Sequence, residues 1–320
     1  MIVPNGFGAV LGMDLLHPLK TILDCGELAV KAVTATDSNF LLASYPTLCS
    51  QAIGTYPDFQ HHVTLSFNAS PSVARPRPPP LFRREKIAKA IKSLVDDGIW
   101  EEATQPSEWM HNIVVVDKPD GSVRITADLA SLNKYIIPDR YRLPSIKDLL
   151  VELSGSTVYS VLDLKQAFYH FLLDEESSSL TTVWTHVGLF RHRRLPMGMK
   201  DSGSVCQRMV AKSLAGCTGV IAYMDDILVH GANQENHDKN LKRVLTALQE
   251  SDFRLNVSKC RFRVSEVKFL GYVIRHNSIQ PDPKNSDAIV SSRKPTNVKQ
   301  IQSFLGMAIF IAILFPTSLR

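Results

Sequence analysis

Apolar residues recur along the chain with two periods, and each period predicts a different kind of element. Between residues 87 and 95 they follow the spacing of one helical face and stop before Gly98, which predicts an amphipathic helix. Residues 241–248 show the same spacing and predict a second helix. Near the N-terminus, residues 10–16 form a small apolar element and residues 21–24 predict a short strand.

Runs of valine and isoleucine predict strands that are joined into hairpins. Residues 112–126 indicate two strands around a Pro-Asp-Gly-Ser turn, and residues 220–229 indicate a second hairpin. Residues 157–162 predict a further strand that ends at Asp163. Helices and strands are interspersed without a regular βαβ repeat, so the pattern favours an α+β fold.

Composition narrows the class of protein. Hydrophobic residues make up 44% and charged residues 21%, which is typical of globular domains and excludes global disorder or a disulfide-dense toxin. The five cysteines have no CxxC spacing, which predicts reduced thiols in an intracellular protein. The chain has no run of 18 apolar residues, so no membrane contact is expected. Its 320 residues predict two or three domains.

Charge and proline content change along the chain. Residues 1–60 hold two Lys and five Asp or Glu, a net charge of −3, whereas the remaining residues carry +8. Five of the ten residues from 71 to 80 are proline, which predicts an extended linker. The basic body is compatible with a polyanionic partner such as nucleic acid.

Candidate chemistry lies in the second hairpin, where Asp225 and Asp226 stand between apolar segments. Asp-Asp is a poor two-residue turn, and such a local conflict is typical of functional sites. Two carboxylates about 4 Å apart repel by roughly 4 kcal/mol at an effective dielectric of 20, and a divalent cation removes that penalty. A solvated acidic turn is the alternative, and the tetrapeptide alone leaves both open. With Asp163 as a third carboxylate, the set would suit two Mg²⁺ ions and in-line phosphoryl transfer.

Ordered blocks carry a resemblance to a known family. Residues 162–170 (LDLKQAFYH), residues 195–208 (beginning LPMGMK and ending Gln-Arg) and residues 223–229 (YMDDILV) resemble motifs A, B and C of reverse transcriptases, most closely those of gypsy-type LTR retrotransposons. Residues 118–124 look like the family's fingers hairpin, and residues 269–272 (FLGY) look like its primer grip. The resemblance extends from near residue 75 to residue 307.

The resemblance implies a right-hand polymerase with fingers, a palm bearing an antiparallel sheet, and a partial thumb. It implies an RNA-directed DNA polymerase that binds an RNA or DNA template with its primer and adds dNTPs to the primer 3′-hydroxyl by a two-metal mechanism. Asp163 and Asp225 would bridge two Mg²⁺ ions, for which Mn²⁺ could substitute. Asp226 would support them, and the backbone carbonyl of Leu164 would add a ligand.

The resemblance also implies contacts with the substrates. Phe168 matches the family's steric gate against ribonucleotides, although its pattern alone favours a core aromatic. The implied nucleotide-binding residues are Lys118, Arg124, Phe168, Met197, Gln207 and Lys259. The implied template–primer contacts are Arg208, Tyr223, Met224, Phe269, Leu270, Gly271 and Tyr272. For the charged hairpin residues, ordinary solvated side chains are the alternative.

The resemblance divides the chain into six regions. Residues 9–24 are similar to the closing segment of a retrotransposon aspartic protease, but no Asp-Thr-Gly or Asp-Ser-Gly loop precedes them, so a β-rich remnant is expected rather than a working protease. The expected regions are the remnant (1–60), a linker (61–80), fingers and the start of the palm (81–157), palm (158–232), the end of the palm with the thumb (233–307), and an aberrant or truncated C-terminus (308–320).

Three positions depart from the family pattern. Ala130 stands where the family usually has Arg, Met197 where it has an aromatic residue or Gln, and Cys206 where it has Phe. These changes predict weaker template binding or activity on an unchanged fold. A catalytically impaired retrotransposon relic that only binds nucleic acid is therefore the alternative function. In either case the resemblance implies an intracellular location, in the cytoplasm, virus-like particles or nucleus.

Overall fold

The computed structural model describes residues 21–24, 29–32, 43–105, 107–142, 144–276, 278–283, 292 and 295–312. The chain divides into two compact units, Met1–Pro46 and Thr47–Arg320. In the first unit, β1 (Thr21–Asp24) pairs antiparallel with β2 (Ala29–Ala32), which confirms the predicted strand. The apolar element predicted at residues 10–16 lies outside the described residues, as do residues 313–320 of the predicted aberrant terminus.

The second unit alternates short strands with helices. Its strands are β3 (Gln60–His61), β4 (Trp100–Glu102), β5 (His111–Asp117), β6 (Val123–Ala127), β7 (Val158–Asp163), β8 (Leu172–Leu173), β9 (Val183–Thr185), β10 (Gly188–His192), β11 (Val220–Tyr223), β12 (Asp226–Gly231), β13 (Arg261–Val264), β14 (Glu266–Phe269), β15 (Tyr272–Arg275) and β16 (Ser278–Pro281). Among its described residues, the α-helices are α1 (Arg84–Asp96), α2 (Ala130–Asn133), α3 (Ile146–Glu152), α4 (Glu175–Ser179), α5 (Ser202–Ser213), α6 (Gln234–Glu250) and α7 (Val298–Ala312). Two short 3₁₀ helices span Leu81–Arg83 and Ala167–His170.

A five-stranded sheet in the order β4-β10-β9-β5-β6 carries the first predicted hairpin. Strands β5 and β6 pair antiparallel around the turn, as predicted. Helix α1 is the predicted amphipathic helix, and it buries Ile87 and Ile91. Burial of each such side chain contributes about 2 kcal/mol, which holds α1 on one side of the hairpin.

A four-stranded antiparallel sheet in the order β11-β12-β7-β13 positions the three aspartates. Strand β12 is buried along almost its whole length, because α6 packs on it with its predicted apolar face. The Asn233 side chain begins α6 by accepting a hydrogen bond from the N–H of Asn236. Tyr159 and Leu228 of this sheet share a core cluster with the β14–β15 hairpin.

Residues 47–80 belong to the second unit, although the sequence pattern sets a boundary after residue 60 and a linker beyond it. The carbonyl of Leu48 accepts a hydrogen bond from the N–H of Leu255 at 2.8 Å. In the proline-rich segment, the N–H of Ala74 donates to the carbonyl of Met110 at 2.8 Å. The N–H of Arg77 likewise donates to Oδ1 of Asn112 at 3.0 Å, so hydrogen bonds attach this largely exposed segment to β5 and to the residue before it.

The described residues form the mixed α+β architecture that the pattern predicts, with several separate sheets. None of their helices has the length and apolar character that crossing a membrane would require.

Candidate active site

Strand register brings the three predicted aspartates to one edge of the four-stranded sheet. Asp226 at the start of β12 is the direct cross-strand partner of Asp163 at the end of β7. Asp225 lies in the turn just before β12, and its carbonyl accepts a hydrogen bond from the N–H of Leu164 at 2.9 Å. Because cross-strand partners project to the same face of a sheet, Asp163 and Asp226 share one face.

The turn differs by one residue from the sequence expectation. Its two central residues are Met224 and Asp225, because Tyr223 already pairs with Asp226. Met224 has a φ of +57°, the left-handed region, which costs a residue with a side chain about 1–2 kcal/mol. That cost is offset by a hydrogen bond from the Met224 N–H to Oε1 of Gln207 at 2.6 Å.

Negative charge is in excess at this edge of the sheet. Burial raises the pKa of Asp226, and the neighbouring charges of Asp225 and Asp163 raise it further, against an opposing effect of Lys259. The Lys259 ammonium lies 3.3 Å from Oδ2 of Asp163. Repelling carboxylates at one sheet edge are the donor set that a hard divalent cation favours.

The aspartates are not a closed metal cage. Among the residues that the structure describes, no group of three or more His, Cys, Asp and Glu side chains is arranged to enclose an ion. Mg²⁺ in phosphoryl-transfer sites takes only one or two carboxylates, together with water and substrate phosphate oxygens. The residues present therefore fit a divalent cation that completes its coordination with water and phosphate oxygens.

A cavity of about 740 Å³ brings together four of the six implied nucleotide-binding residues. Lys118 and Arg124 come from the β5–β6 hairpin, Met197 from the loop before α5, and Lys259 from the segment before β13. The guanidinium of Arg124 contacts the sulfur of Met197. Lys259 also contacts Asp163, so the cavity reaches the acidic sheet edge.

Two basic residues of the cavity were missed by sequence reasoning. Lys86 and Lys89 project from α1 into the same cavity, and the ammonium of Lys86 lies 3.4 Å from the carbonyl of Gly121 in the hairpin turn. Their i, i+3 spacing on the polar face of a predicted helix was the available signal. It was weak, because a basic pair on a helix is usually solvated.

The structure places Phe168 and Gln207 away from this cavity. Phe168 is half-buried in the 3₁₀ helix, and its neighbours Gln166 and Tyr169 line the cavity instead. Gln166 is left-handed (φ +52°), which redirects the chain at this point. Gln207 is 2% exposed, and its Nε2 donates to the carbonyl of Ala222 at 2.9 Å, so its amide contacts the β11–β12 hairpin.

Several of the implied template–primer residues contact other residues of the chain. Arg208 pairs with Asp139 at 2.8 Å and lies over the ring of Phe59. Phe269 and Tyr272 are 3% and 0% exposed, because a two-residue turn makes them cross-strand partners on the core face of the β14–β15 hairpin. The half-buried turn residues Leu270 and Gly271, both left-handed, keep accessible surface, as do the half-buried Tyr223, Met224 and Arg208.

Comparison with known proteins agrees with this geometry. Residues 116–274 match the family described as reverse transcriptase (RNA-dependent DNA polymerase), whose members generally use divalent metal ions. The chain is 34% identical over 267 residues to the uncharacterized protein K02A2.6 of Caenorhabditis elegans, covering 82% of this chain and 21% of that protein. It is 32% identical over 343 residues to the retrovirus-related Pol polyprotein from transposon opus of Drosophila melanogaster, covering 96% and 34%. It is 32% identical over 206 residues to the transposon Tf2-3 polyprotein of Schizosaccharomyces pombe, covering 64% and 16%. The chain thus spans at most about a third of the length of these relatives.

Solved structures share the fold. The foamy viral protease-reverse transcriptase in complex with double-stranded DNA superposes with a TM-score of 0.77 at 23% identity, over 97% of this chain and 54% of that chain. Its complex with an RNA/DNA hybrid gives 0.74 at 23% identity, over 93% and 40%. This likeness establishes the right-hand polymerase fold. The chain therefore carries a reverse transcriptase domain of the kind found in retrotransposon- and retrovirus-related Pol polyproteins.

Proposed function

We propose that this chain is an RNA-directed DNA polymerase that adds dNTPs to a primer 3′-hydroxyl on an RNA or DNA template. The observation that carries the proposal is the register of β7 and β12, which pairs Asp163 with Asp226 beside Asp225. The cavity that holds Lys118, Arg124 and Lys259 reaches this edge, so cationic side chains and carboxylates meet at one place.

Each group has a distinct role in this proposal. Asp163 and Asp225, supported by Asp226, would hold Mg²⁺ or Mn²⁺ with the carbonyl of Leu164. When bound, the metals lower the pKa of the attacking hydroxyl and neutralise the leaving pyrophosphate. Lys118 and Arg124 bind the triphosphate, Arg124 through its bidentate fork. Lys259 balances the charge of Asp163 until the nucleotide arrives and then donates a proton to pyrophosphate.

The proposal has a wider setting. We propose that the chain derives from a gypsy-type retrotransposon and acts inside the cell, and that the first unit, Met1–Pro46, rather than all of residues 1–60, corresponds to the preceding protease. The order of the motifs supports the first point. The foamy viral neighbours are protease-reverse transcriptases, which supports the last.

Primer extension on a homopolymer template, with and without Mg²⁺, tests the activity. Asp225→Asn should abolish extension while nucleic-acid binding persists. Asp96→Asn is the matched control, because Asp96 is exposed at the end of α1 and pairs only with Lys92 among the described residues. Equal extension by wild type and Asp225→Asn would refute the assignment.

A second candidate is a relic that binds nucleic acid without polymerising. The changes at Ala130, Met197 and Cys206 favour it. Cys206 is fully buried on α5, where burial and the charge of Asp225 raise its pKa to about 12. Salt-dependent binding without extension by the wild type would establish the relic.

A further inference from the structure

A second cavity, of about 370 Å³, shares none of its lining residues with the nucleotide cavity. One wall is the proline-rich segment and the other is the beginning of α2 with the start of β5. The polar residues that line it are Ser72, Arg75, Arg77, His111, Asn112, Asp128 and Ser131.

The backbone of the two arginines is fixed by a single buried side chain. Asn112 is 7% exposed, and its Oδ1 accepts from the N–H of Arg77 at 3.0 Å. Its Nδ2 donates to the carbonyl of Arg75 at 3.0 Å. Arg75 and Arg77 both line this cavity, so the two anchored positions present their side chains to the same space.

The cavity has an excess of positive charge. Arg75 and Arg77 are exposed, and neither forms an ion pair within the part of the chain that the structure describes. Asp128 is the acidic residue of the lining, and its Oδ1 accepts from the N–H of Ala130 at 3.3 Å. Burial lowers the pKa of His111, so that ring is neutral. Two unpaired guanidinium groups against one carboxylate favour a phosphate ligand.

Helix α2, which is about one turn long, links this cavity to the nucleotide cavity. Ala130 and Ser131 line the second cavity at the start of α2, and Asn133 at the other end of α2 bonds to the loop before α5. Asn133 donates to the carbonyl of Gly198 at 2.8 Å and accepts from the N–H of Lys200 at 2.9 Å. Met197 of that loop lines the nucleotide cavity.

We infer that Arg75 and Arg77 bind a backbone phosphate of the single-stranded template next to the nucleotide site. The inference rests on the proposed function, which supplies the template, and it deepens that function by naming a contact. It also indicates what the change at Ala130 does. The methyl group of Ala130 leaves space in the cavity beside α2, where an Arg side chain would place a further positive charge.

Fluorescence anisotropy with the full chain tests the inference. The probes are a labelled duplex with a 5′ template overhang and the same duplex with blunt ends, titrated over a range of salt concentrations without dNTPs or metal. The variant is Arg75→Gln with Arg77→Gln, which keeps the backbone contacts to Asn112. The control is Lys239→Gln with Arg243→Gln, an equal reduction of charge on the exposed face of α6.

The expected result is a weaker affinity that is confined to the overhang. The variant should bind the overhang probe about tenfold more weakly. The slope of log affinity against log salt concentration should be smaller in magnitude by about 0.7 for each phosphate that the variant no longer binds. Replacement of both arginines by Lys should restore part of the affinity, because Lys restores the positive charge but not the bidentate hydrogen bonds of a guanidinium group. Equal weakening on both probes, equal weakening in the control, or no weakening would overturn the inference. A wild type that binds but does not extend would refute the polymerase and leave this test intact.

Discussion

Gln207 is predicted to position the turn between β11 and β12, which carries Asp225, without touching any substrate. Its amide joins the carbonyl of Ala222 on one side of the turn to the N–H of Met224 on the other. Gln207→Leu keeps the size of the side chain and the helical preference of α5 while removing both hydrogen bonds. The Met224 N–H then no longer has the partner that offsets its left-handed backbone.

The magnitude follows from the groups left unpaired. An unsatisfied buried backbone group costs about 1–3 kcal/mol, and since Ala222 and Met224 are only half-buried, the lower end applies to each. Gln207→Leu should therefore reduce the free energy of unfolding by about 2 kcal/mol. If relaxation of the turn withdraws a similar energy from the transition state, kcat for extension falls by more than about tenfold. KM for template–primer should change little.

Urea unfolding and steady-state primer extension measure the two effects. Met209→Leu is the control, because Met209 is equally buried on α5 and this swap conserves volume without touching the turn. Normal kcat in a destabilised Gln207→Leu variant would show that the amide only stabilises the fold. Normal stability together with normal kcat would show that the two hydrogen bonds contribute nothing.

Three further outcomes are expected. Asp226→Asn should raise the melting temperature in a chelator, because it removes one of three repelling carboxylates, and it should abolish extension; an unchanged melting temperature would contradict the repulsion. Burial lowers the pKa of His170 and His192 to about 4, so stability present above pH 6.5 should be lost as pH falls towards 4, by about 3 kcal/mol for each ring. Urea unfolding across this range checks the decrease, which His170→Gln and His192→Gln should reduce. Ala130→Arg should tighten binding of the overhang probe in anisotropy and shrink the effect of the arginine variant; weaker binding would contradict this.

Much of the site could be predicted from local sequence patterns. The hairpins of β5–β6 and β11–β12 and the helices α1 and α6 follow from periodicity and turn chemistry. The pairing of Asp163 with Asp226 was expected only if two distant strands became neighbours, and the register confirms that they do. The roles of these residues stay predictions until activity is measured.

The direction of individual side chains could not be predicted from the sequence. The sequence places Gln207, Phe269 and Tyr272 within the family motifs, but it does not show which face of a helix or hairpin meets the core. Packing of α5 on β11 buries Gln207, and the β14–β15 turn directs both aromatic residues inward.

The sequence by itself determined the local elements, the order of the motifs and the three carboxylates, because these depend on residues close together in the chain. Only the tertiary structure decided which distant residues share a cavity, that residues 47–80 pack with the second unit, and that Asn112 fixes two arginines over a cavity. Those facts depend on strand register and on contacts between elements far apart in sequence, which hydrophobic periodicity does not encode.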